Sequence, residues 1–189
     1  MNKHLQRATQ NREELLHAAS EMIKEHGIHV PLQLIISHAG VGRATFYRNF
    51  SDRKHLIYAL LENSIENLKR RVQHFRQFDD GLFQLIHSHI HHLPYLAALK
   101  EYWKILEHDD PVLHELIQRH QSIVQPLIDR AICAGICRPD LNFEDYRTII
   151  SILASSFRGH TTQEQARLAK RAIELLLTGI QRSKDVAYG

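Results

Sequence analysis

The sequence has 189 residues, of which 43% are hydrophobic and 24% are charged, and its formal net charge is +3. This length is enough for one or two compact helical units with a substantial core. No apolar run is long enough to span a bilayer, and residues 1–10 lack the apolar segment of a signal peptide. The two cysteines, Cys133 and Cys137, are too few for a disulfide framework. We therefore expect a soluble, cytoplasmic protein and exclude the membrane-spanning and disulfide-scaffold classes.

Positive charge is concentrated in the N-terminal part of the chain. Residues 1–75 contain eleven Lys and Arg against seven Asp and Glu, whereas residues 76–189 contain thirteen against fourteen. Binding to phosphate requires such an excess of cations, and the modest asymmetry favours a nucleic-acid partner for the first part.

The first predicted helix begins at a capping residue and ends at a glycine. Thr9 and Asn11 are both suitable N-caps, and the apolar periodicity continues to about His26. Gly27 follows as a residue that can adopt the left-handed conformation after a helix. Pro31 suits the first turn of the next helix, where its missing N–H is not needed.

Residues 31–50 predict two short helices joined by a tight turn. Leu32, Ile35 and Ile36 give the first helix an apolar face at i, i+3 and i+4. Gly40 supplies a residue that is free to take a positive φ, and Val41 provides an apolar contact with the core. This arrangement is typical of a helix-turn-helix unit.

The second helix of this unit is expected from about Arg43 to Asn49. Phe46 and Phe50 are four residues apart and can face the core together. The outward side chains can read base edges or bind phosphate oxygens, which suits a helix that enters the major groove of DNA. They are Arg43, Thr45, Tyr47 and Arg48.

A long helix is predicted from Arg53 to about Phe75, with Ser51 or Asp52 as its cap. Its apolar stripe has the 3.6-residue period of a helix buried on one side, and consists of Ile57, Leu60, Leu61, Ile65, Leu68 and Val72. The opposite face, which includes Lys69, Arg70 and Arg71, is expected to be solvated.

The remainder of the chain predicts five further helices and no strand, so that the protein is all-α with about nine helices. The predicted segments are residues 80–92, 94–107, 111–134, 143–158 and 162–183. Pro126 lies inside the third segment, where we expect a kink or a break. Gly135 separates the two cysteines, which are expected to be part-buried thiols without a metal or redox function.

The last two segments are apolar on most of their faces, and such helices must be covered on both sides. Because the final helix of a small unit has few neighbours in its own chain, we expect a symmetric four-helix interface in a homodimer. The predicted interface residues are Ile149, Ile150, Leu153, Ala169, Ala172, Ile173, Leu176 and Ile180.

Residues 39–57, AGVGRATFYRNFSDRKHLI, resemble the signature of TetR-type transcriptional regulators almost position for position. The resemblance covers about residues 8 to 60, including Leu15, Ala18, Ala19 and the helix-ending Gly27. It implies a DNA-binding head in residues 1–52, a linking helix in residues 53–75, and a body in residues 76–189 that binds an effector and dimerises. It also implies a homodimer on a palindromic double-stranded operator, a small-molecule effector, and repression rather than activation.

Three positions depart from the family pattern. Pro31 replaces a threonine that tends to contact phosphate, Gly42 replaces the usual serine cap, and Asn49 stands where histidine is common. By resemblance, Tyr47, Asn49 and Arg53 are expected to contact phosphate. Contacts to bases or phosphates are expected from Gln33, Arg43, Ala44, Thr45 and Arg48.

An effector pocket is expected between the middle helices of the body, where aromatic side chains are mixed with a few polar ones. The candidate lining residues are Phe83, His87, His91, Tyr102, Trp103, Leu106, His120, Ile123 and Phe157. No cofactor is expected.

Two other functions remain open. A protein of the same fold could organise the nucleoid or act in division without an effector, and would bind DNA at many sites. A helical metal-dependent enzyme could instead use the histidines of residues 87–92, because His87 and His91 are one helical turn apart. No third ligand, nucleophile–base pair or glycine-rich phosphate loop is identifiable, so we expect no enzymatic activity.

Overall fold

A computed structural model describes residues 3–92, 110–155 and 162–181. These residues form eight α-helices and one 3₁₀ helix, which agrees with the predicted all-α fold. The helices are α1 (Lys3–His26), α2 (Leu32–His38), α3 (Arg43–Asn49), α4 (Arg53–Phe75), α5 (Gly81–Ser88), a 3₁₀ helix (His89–His92), α6 (Pro111–Cys133), α7 (Phe143–Ser155) and α8 (Thr162–Ile180). The predicted segment 94–107 lies outside the described residues. None of the helices in the described ranges is long and apolar enough to cross a lipid bilayer.

The bounds of α3 and α4 agree with the sequence prediction, but the predicted start of α1 was wrong. The helix begins at Lys3 and runs through both Thr9 and Asn11. Residues 3–11 contain no proline or glycine, so nothing there interrupts the helix, and a residue that suits an N-cap can also lie in a helix interior.

Two glycines in the turns of the head have positive φ angles. Gly27 has φ of 80° after α1, and Gly40 has φ of 65° between α2 and α3. Residues with a Cβ adopt this region at a cost, which explains glycine at both positions. The tight turn predicted between the two short helices is therefore confirmed.

Helix α4 contributes to both hydrophobic cores of the described chain. The first core combines side chains of α1 to α3 with the first part of α4, up to Ile65, and with Leu113 and Leu116 of α6. The second core begins at Leu68 and includes α5 and the rest of α6, α7 and α8. One continuous helix of 23 residues thus connects the head to the body.

Of the kink or break predicted at Pro126, the break was wrong, because helix α6 is continuous through this residue. Val124, Leu127 and Ile128 around it are buried, and their packing outweighs the one backbone hydrogen bond that proline removes. The helix ends before Gly135, whose φ is 70°. Cys133 is therefore exposed at the end of α6 whereas Cys137 is buried beyond the turn, and neither forms a disulfide.

Two further predictions for the body required correction. The segment 80–92 is not one α-helix, because α5 ends at Ser88 and a 3₁₀ helix follows. The last helix ends at Ile180 rather than near residue 183, because Gln181 forms an isolated antiparallel bridge with Cys137.

Candidate DNA-binding surface and body site

Helix α3 is fixed on the head by two buried phenylalanines. Phe46 is fully buried and Phe50 is 2% exposed, and their ring centroids lie 5.7 Å apart. The Arg12 guanidinium of α1 stacks over the Phe50 ring at 4.6 Å. These contacts hold one face of α3 in the core, so that its other face is presented to solvent in a defined orientation.

The solvent face of α3 contains four of the eight predicted DNA-binding residues. Arg43, Ala44, Tyr47 and Arg48 are exposed, and Gln33 is exposed on the neighbouring α2. Tyr47 keeps half of its surface accessible, and its ring packs edge-on against Phe46 at 5.3 Å. Residues 31–50 contain no Asp or Glu, so no carboxylate of this unit repels phosphate.

Two polar side chains lie along α3 rather than extending from it. Arg48 donates from Nε to the Ala44 carbonyl at 3.3 Å and from Nη2 to Thr45 Oγ1 at 3.2 Å. Asn49 donates from Nδ2 to the Thr45 carbonyl at 2.8 Å. Each side chain has further N–H groups that these bonds leave free, and these groups are available to a phosphate oxygen.

Arg53 has a structural function that the sequence did not reveal. Its guanidinium donates to the Ile28 carbonyl at 2.6 Å and also to the Val30 carbonyl. Arg53 therefore fastens the loop between α1 and α2 to the start of α4. Its predicted phosphate contact stays a prediction, and would use the guanidinium N–H groups that these two carbonyls leave free.

The start of α6 is joined to the start of α4 by a charged contact. The Asp110 carboxylate, 7% exposed, accepts from Lys54 Nζ at 2.7 Å and from the Tyr58 hydroxyl. It also caps α6 by accepting from the N–H groups of Val112 and Leu113. The bond from Lys54 contributes most to lowering the pKa of Asp110, and the same bond raises the pKa of Lys54.

Asp110 is not among the residues predicted from the sequence. A usable signal existed, because aspartate directly before the proline at the first position of a helix is a strong start signal. Its partners could not be inferred, since Tyr58 lies 52 residues earlier in the chain.

One residue of the predicted pocket set, His120, lies in an aromatic cluster of the body whose other members were not predicted. His120 packs edge-on against Phe143 at 5.2 Å and Tyr146 at 5.7 Å. The Tyr146 hydroxyl lies 2.9 Å from Nε2 of His89, which is 3% exposed. Burial lowers the pKa of His120 to about 4 and holds the pKa of His89 well below its ordinary value. The hydroxyl has a raised pKa for the same reason.

The other predicted pocket residues are distributed differently. Phe83 is partly buried against the second core, His87 is exposed, and Ile123 lines an open groove of about 420 Å³ between α4 and α6. The side chain of His91 is not described, and Tyr102, Trp103, Leu106 and Phe157 lie outside the described residues. In the described part of the chain, no three His, Cys, Asp or Glu side chains form a group that could hold a metal ion.

Four of the eight predicted interface residues lie in the core of their own subunit. Ile149, Leu153, Ala169 and Ile173 are at most 5% exposed, so little of their surface is left for a partner. The other four, Ile150, Ala172, Leu176 and Ile180, are partly exposed. Two exposed apolar side chains of these helices were not in the predicted interface set, namely Ile152 at 42% and Leu175 at 58%.

Comparison with known proteins agrees with the geometry of the head. Residues 15–60 match the model of bacterial regulatory proteins of the tetR family. The chain is 28% identical over 121 residues to the HTH-type transcriptional activator FasR of Mycolicibacterium smegmatis, a match that covers 63% of this chain and 50% of that protein. The chain thus spans about half the length of the curated relative that it matches.

Solved structures share the fold over nearly the whole chain. A TetR transcriptional regulator from Streptomyces coelicolor aligns with a TM-score of 0.54 and 25% identity, over 91% of this chain and 99% of that one. SmeT, the repressor of the Stenotrophomonas maltophilia multidrug efflux pump SmeDEF, aligns with a TM-score of 0.58 and 18% identity, over 92% and 91%. The exposed α3, its buried anchors and these similarities lead to one conclusion: residues 15–60 form a DNA-binding head of the tetR family, and the chain has the fold of TetR-type transcriptional regulators.

Proposed function

We propose that the protein is a homodimeric repressor that binds a palindromic operator through α3 and is released from it by a small-molecule effector. The observation that carries the proposal is the exposed face of α3, which has two arginines, a tyrosine and no carboxylate. A rigid helix with these groups matches the width of the major groove and the charge of the backbone.

The contacts are assigned from the position of each side chain. Tyr47 is half exposed and ends in a hydroxyl, which suits a phosphate oxygen. Arg43 stands exposed at the start of α3 with no hydrogen bond or ion pair of its own among the described residues. Its guanidinium is therefore free to form a bidentate contact with guanine. The remaining proposed contacts come from Gln33, Ala44, Thr45, Arg48, Asn49 and Arg53.

Dimerisation would place two copies of α3 on successive half-sites. The outward faces of α7 and α8 present Ile152 and Leu175, flanked on α8 by the part-buried Leu168, Ala172 and Leu176. A second copy of these two helices would remove this apolar surface from water. A two-fold axis would also match the symmetry of a palindrome.

Control by an effector requires that the ligand bind one arrangement of the dimer better than the other. Helix α4 offers the connection, since it belongs to both cores. We propose repression, as described for SmeT. Because the FasR relative is an activator, a promoter fusion carrying the operator would decide the direction: expression should rise when this gene is deleted.

The DNA-binding proposal is tested by selecting genomic fragments with the purified full chain and measuring affinity for the enriched site by fluorescence anisotropy at several salt concentrations. Replacing Arg43 by alanine should cost roughly 1–3 kcal/mol and relax base preference near that position. Tyr47→Phe should weaken binding to all sequences to a similar extent. Arg130→Ala, at an exposed arginine of α6 that pairs with Asp79, is the control.

Two outcomes would contradict the proposal. Unchanged affinity and salt dependence in both α3 variants would show that this face does not contact DNA. Enrichment of many unrelated sites by the wild type would instead favour a protein that organises DNA.

The interface is tested by introducing a charge on two faces of α8. Leu175→Lys places a cation in the proposed interface and should shift the protein to monomer in sedimentation velocity. Gln163→Lys introduces the same side chain at an exposed position about 120° around α8 from Leu175, and should leave the dimer intact. Equal behaviour of the two variants would remove α8 from the interface.

A further inference from the structure

Arg71 of α4 is a part-buried cation that pairs with no carboxylate of the described residues. Its guanidinium donates from Nη1 to the Ser88 hydroxyl at 2.9 Å, and no Asp or Glu of the described chain pairs with it. Burial lowers its pKa. A cation that has lost part of its hydration without gaining an anion is destabilising. The neighbouring Arg70 differs, since it is exposed and donates to Asn67 at 2.6 Å.

A second unsatisfied group lies beside it. Nδ1 of His89 is buried and has no hydrogen-bond partner in the described part of the chain, while Nε2 of the same ring lies 2.9 Å from the Tyr146 hydroxyl. Buried polar atoms are nearly always paired, so an orphan of this kind requires an explanation. If Tyr146 donates to Nε2, the imidazole carries its proton on Nδ1, and a buried N–H lacks an acceptor.

The two observations belong to one cluster. Ser88, which accepts from Arg71, directly precedes His89, and the charge of Arg71 contributes to the lowered pKa values of both His89 and His120. His120 completes the group by packing against the Tyr146 ring. Four elements thus supply a guanidinium, two imidazoles and a phenol, and no carboxylate faces them within the described residues.

The cluster has partly exposed and buried members. Arg71, Ser88 and His120 each keep part of their surface exposed, whereas His89 and Tyr146 form the buried end. The ring of Phe143, stacked on Tyr146 with centroids 6.1 Å apart, adds an apolar wall. A ligand would therefore contact Arg71 from the surface, and the buried end would have to open for the ligand to reach Nδ1 of His89.

We propose that this cluster binds a small organic acid, whose carboxylate pairs with Arg71 and accepts a hydrogen bond from Nδ1 of His89. The carboxylate would neutralise the cation and satisfy the buried N–H together, and its organic part would pack against Phe143 and Tyr146. Two oxygens match one guanidinium fork and one further donor. A phosphate monoester would bring more charge and a third acceptor oxygen than these donors satisfy.

This inference rests on the proposed function, since it names the ligand class of the effector-responsive body. The test is calorimetric titration of the full chain at constant ionic strength with benzoate and hexanoate, with the neutral benzamide and hexanamide as matched controls, and with inorganic phosphate. Arg71→Met should weaken carboxylate binding by about tenfold or more, the loss expected for a charge-assisted hydrogen bond. Arg70→Met is the matched control and should bind as the wild type.

A second readout separates a binding site from a structural role. Without ligand, Arg71→Met should unfold at the same or a higher temperature than the wild type, because it removes an unpaired cation. Carboxylate binding should also shift the imidazole ¹⁵N signal that is lost in His89→Gln. A clear drop in melting temperature together with unchanged carboxylate affinity in Arg71→Met would assign Arg71 to structure and overturn the proposal.

The remaining outcomes are also decisive. Absence of carboxylate binding, equal binding of acids and amides, or binding of phosphate alone through Arg71 would refute the proposed ligand class. Operator affinity is measured in parallel. Carboxylate binding that leaves operator affinity unchanged would support the site but refute effector control, whereas operator binding without carboxylate binding would refute the site alone.

Discussion

The body should lose stability in mild acid because of His120. Its imidazole lies among Phe143, Tyr146 and the charges of Arg71 and Arg147. Burial, reinforced by these cations, lowers its pKa from 6.5 to about 4. Between these values the unfolded chain binds a proton that the folded chain does not. The free energy of unfolding must therefore fall as the pH decreases from 6.5 towards 4.

The size of the effect follows from the two pKa values. One pKa unit corresponds to about 1.4 kcal/mol, so the full difference is worth about 3 kcal/mol at a pH below 4. At pH 5 the unfolded imidazole is almost fully protonated and the folded one is mostly neutral, which gives a loss of about 2 kcal/mol. His120 keeps an exposed edge, so both figures are upper limits.

Urea unfolding of the full chain at pH 5, 6 and 7.5 measures this loss. His120→Phe removes the titrating group and keeps a ring against Phe143. Between pH 7.5 and pH 5, the free energy of unfolding should therefore fall less in this variant than in the wild type, and the difference should be up to about 2 kcal/mol. His87→Asn, at an exposed histidine, should follow the wild type. If His120→Phe loses as much stability in acid as the wild type, His120 is not the group responsible.

Three further predictions concern the head and its junction with the body. Gly40→Ala should destabilise by about 1–2 kcal/mol, because φ is +65° and an added Cβ would meet no atom within 4 Å, so that the cost is that of the backbone alone. Gly42→Ser should stabilise the protein by about 0.5–1 kcal/mol, because φ is −78° at a helix start that has no side-chain cap. Urea unfolding measures the change in the free energy of unfolding for both glycine variants. Changes of the same sign in the two variants would contradict these predictions. Asp110→Asn should keep the cap of α6 but lose the ion pair with Lys54, whereas Asp110→Ala should lose both and melt lower than Asp110→Asn in calorimetry. Equal melting temperatures for the two Asp110 variants would show that the cap contributes nothing.

The head was predictable because its signals are local. Gly40 marks the turn, Asp52 caps α4 by accepting from the N–H of His55 at 2.9 Å, and Phe46 with Phe50 fixes the buried face of α3. Each signal acts within about one helical turn, so a pattern in one sequence is sufficient to place it. What the pattern could not show is that Arg53 is engaged by carbonyls of the preceding loop.

The body site was predicted only in part because its contacts join distant segments. His89 and Tyr146 are 57 residues apart, and Arg71 and Ser88 are 17 apart. Periodicity identifies the apolar face of a helix but not the side chain that meets it. Arg71 was therefore grouped with Lys69 and Arg70 as solvated, although it follows the buried Leu68 by three residues and lies beside the apolar stripe.

Helix α4 explains why one ligand in the body could change how the head meets DNA. Near its start, Lys54 and Tyr58 bind Asp110, and near its end Arg71 belongs to the polar cluster of the body. A 23-residue helix is about 35 Å long, so a small change in its tilt at Arg71 becomes a larger displacement of α3 at the other end. The Asp110 contact would oppose that tilt, because it joins the start of α4 to α6. An acid bound at Arg71 would therefore change DNA binding only to the extent that it binds the protein with a tilted α4 more tightly than the protein with an untilted α4. The stability of the Asp110 contact would determine how large this difference in affinity must be.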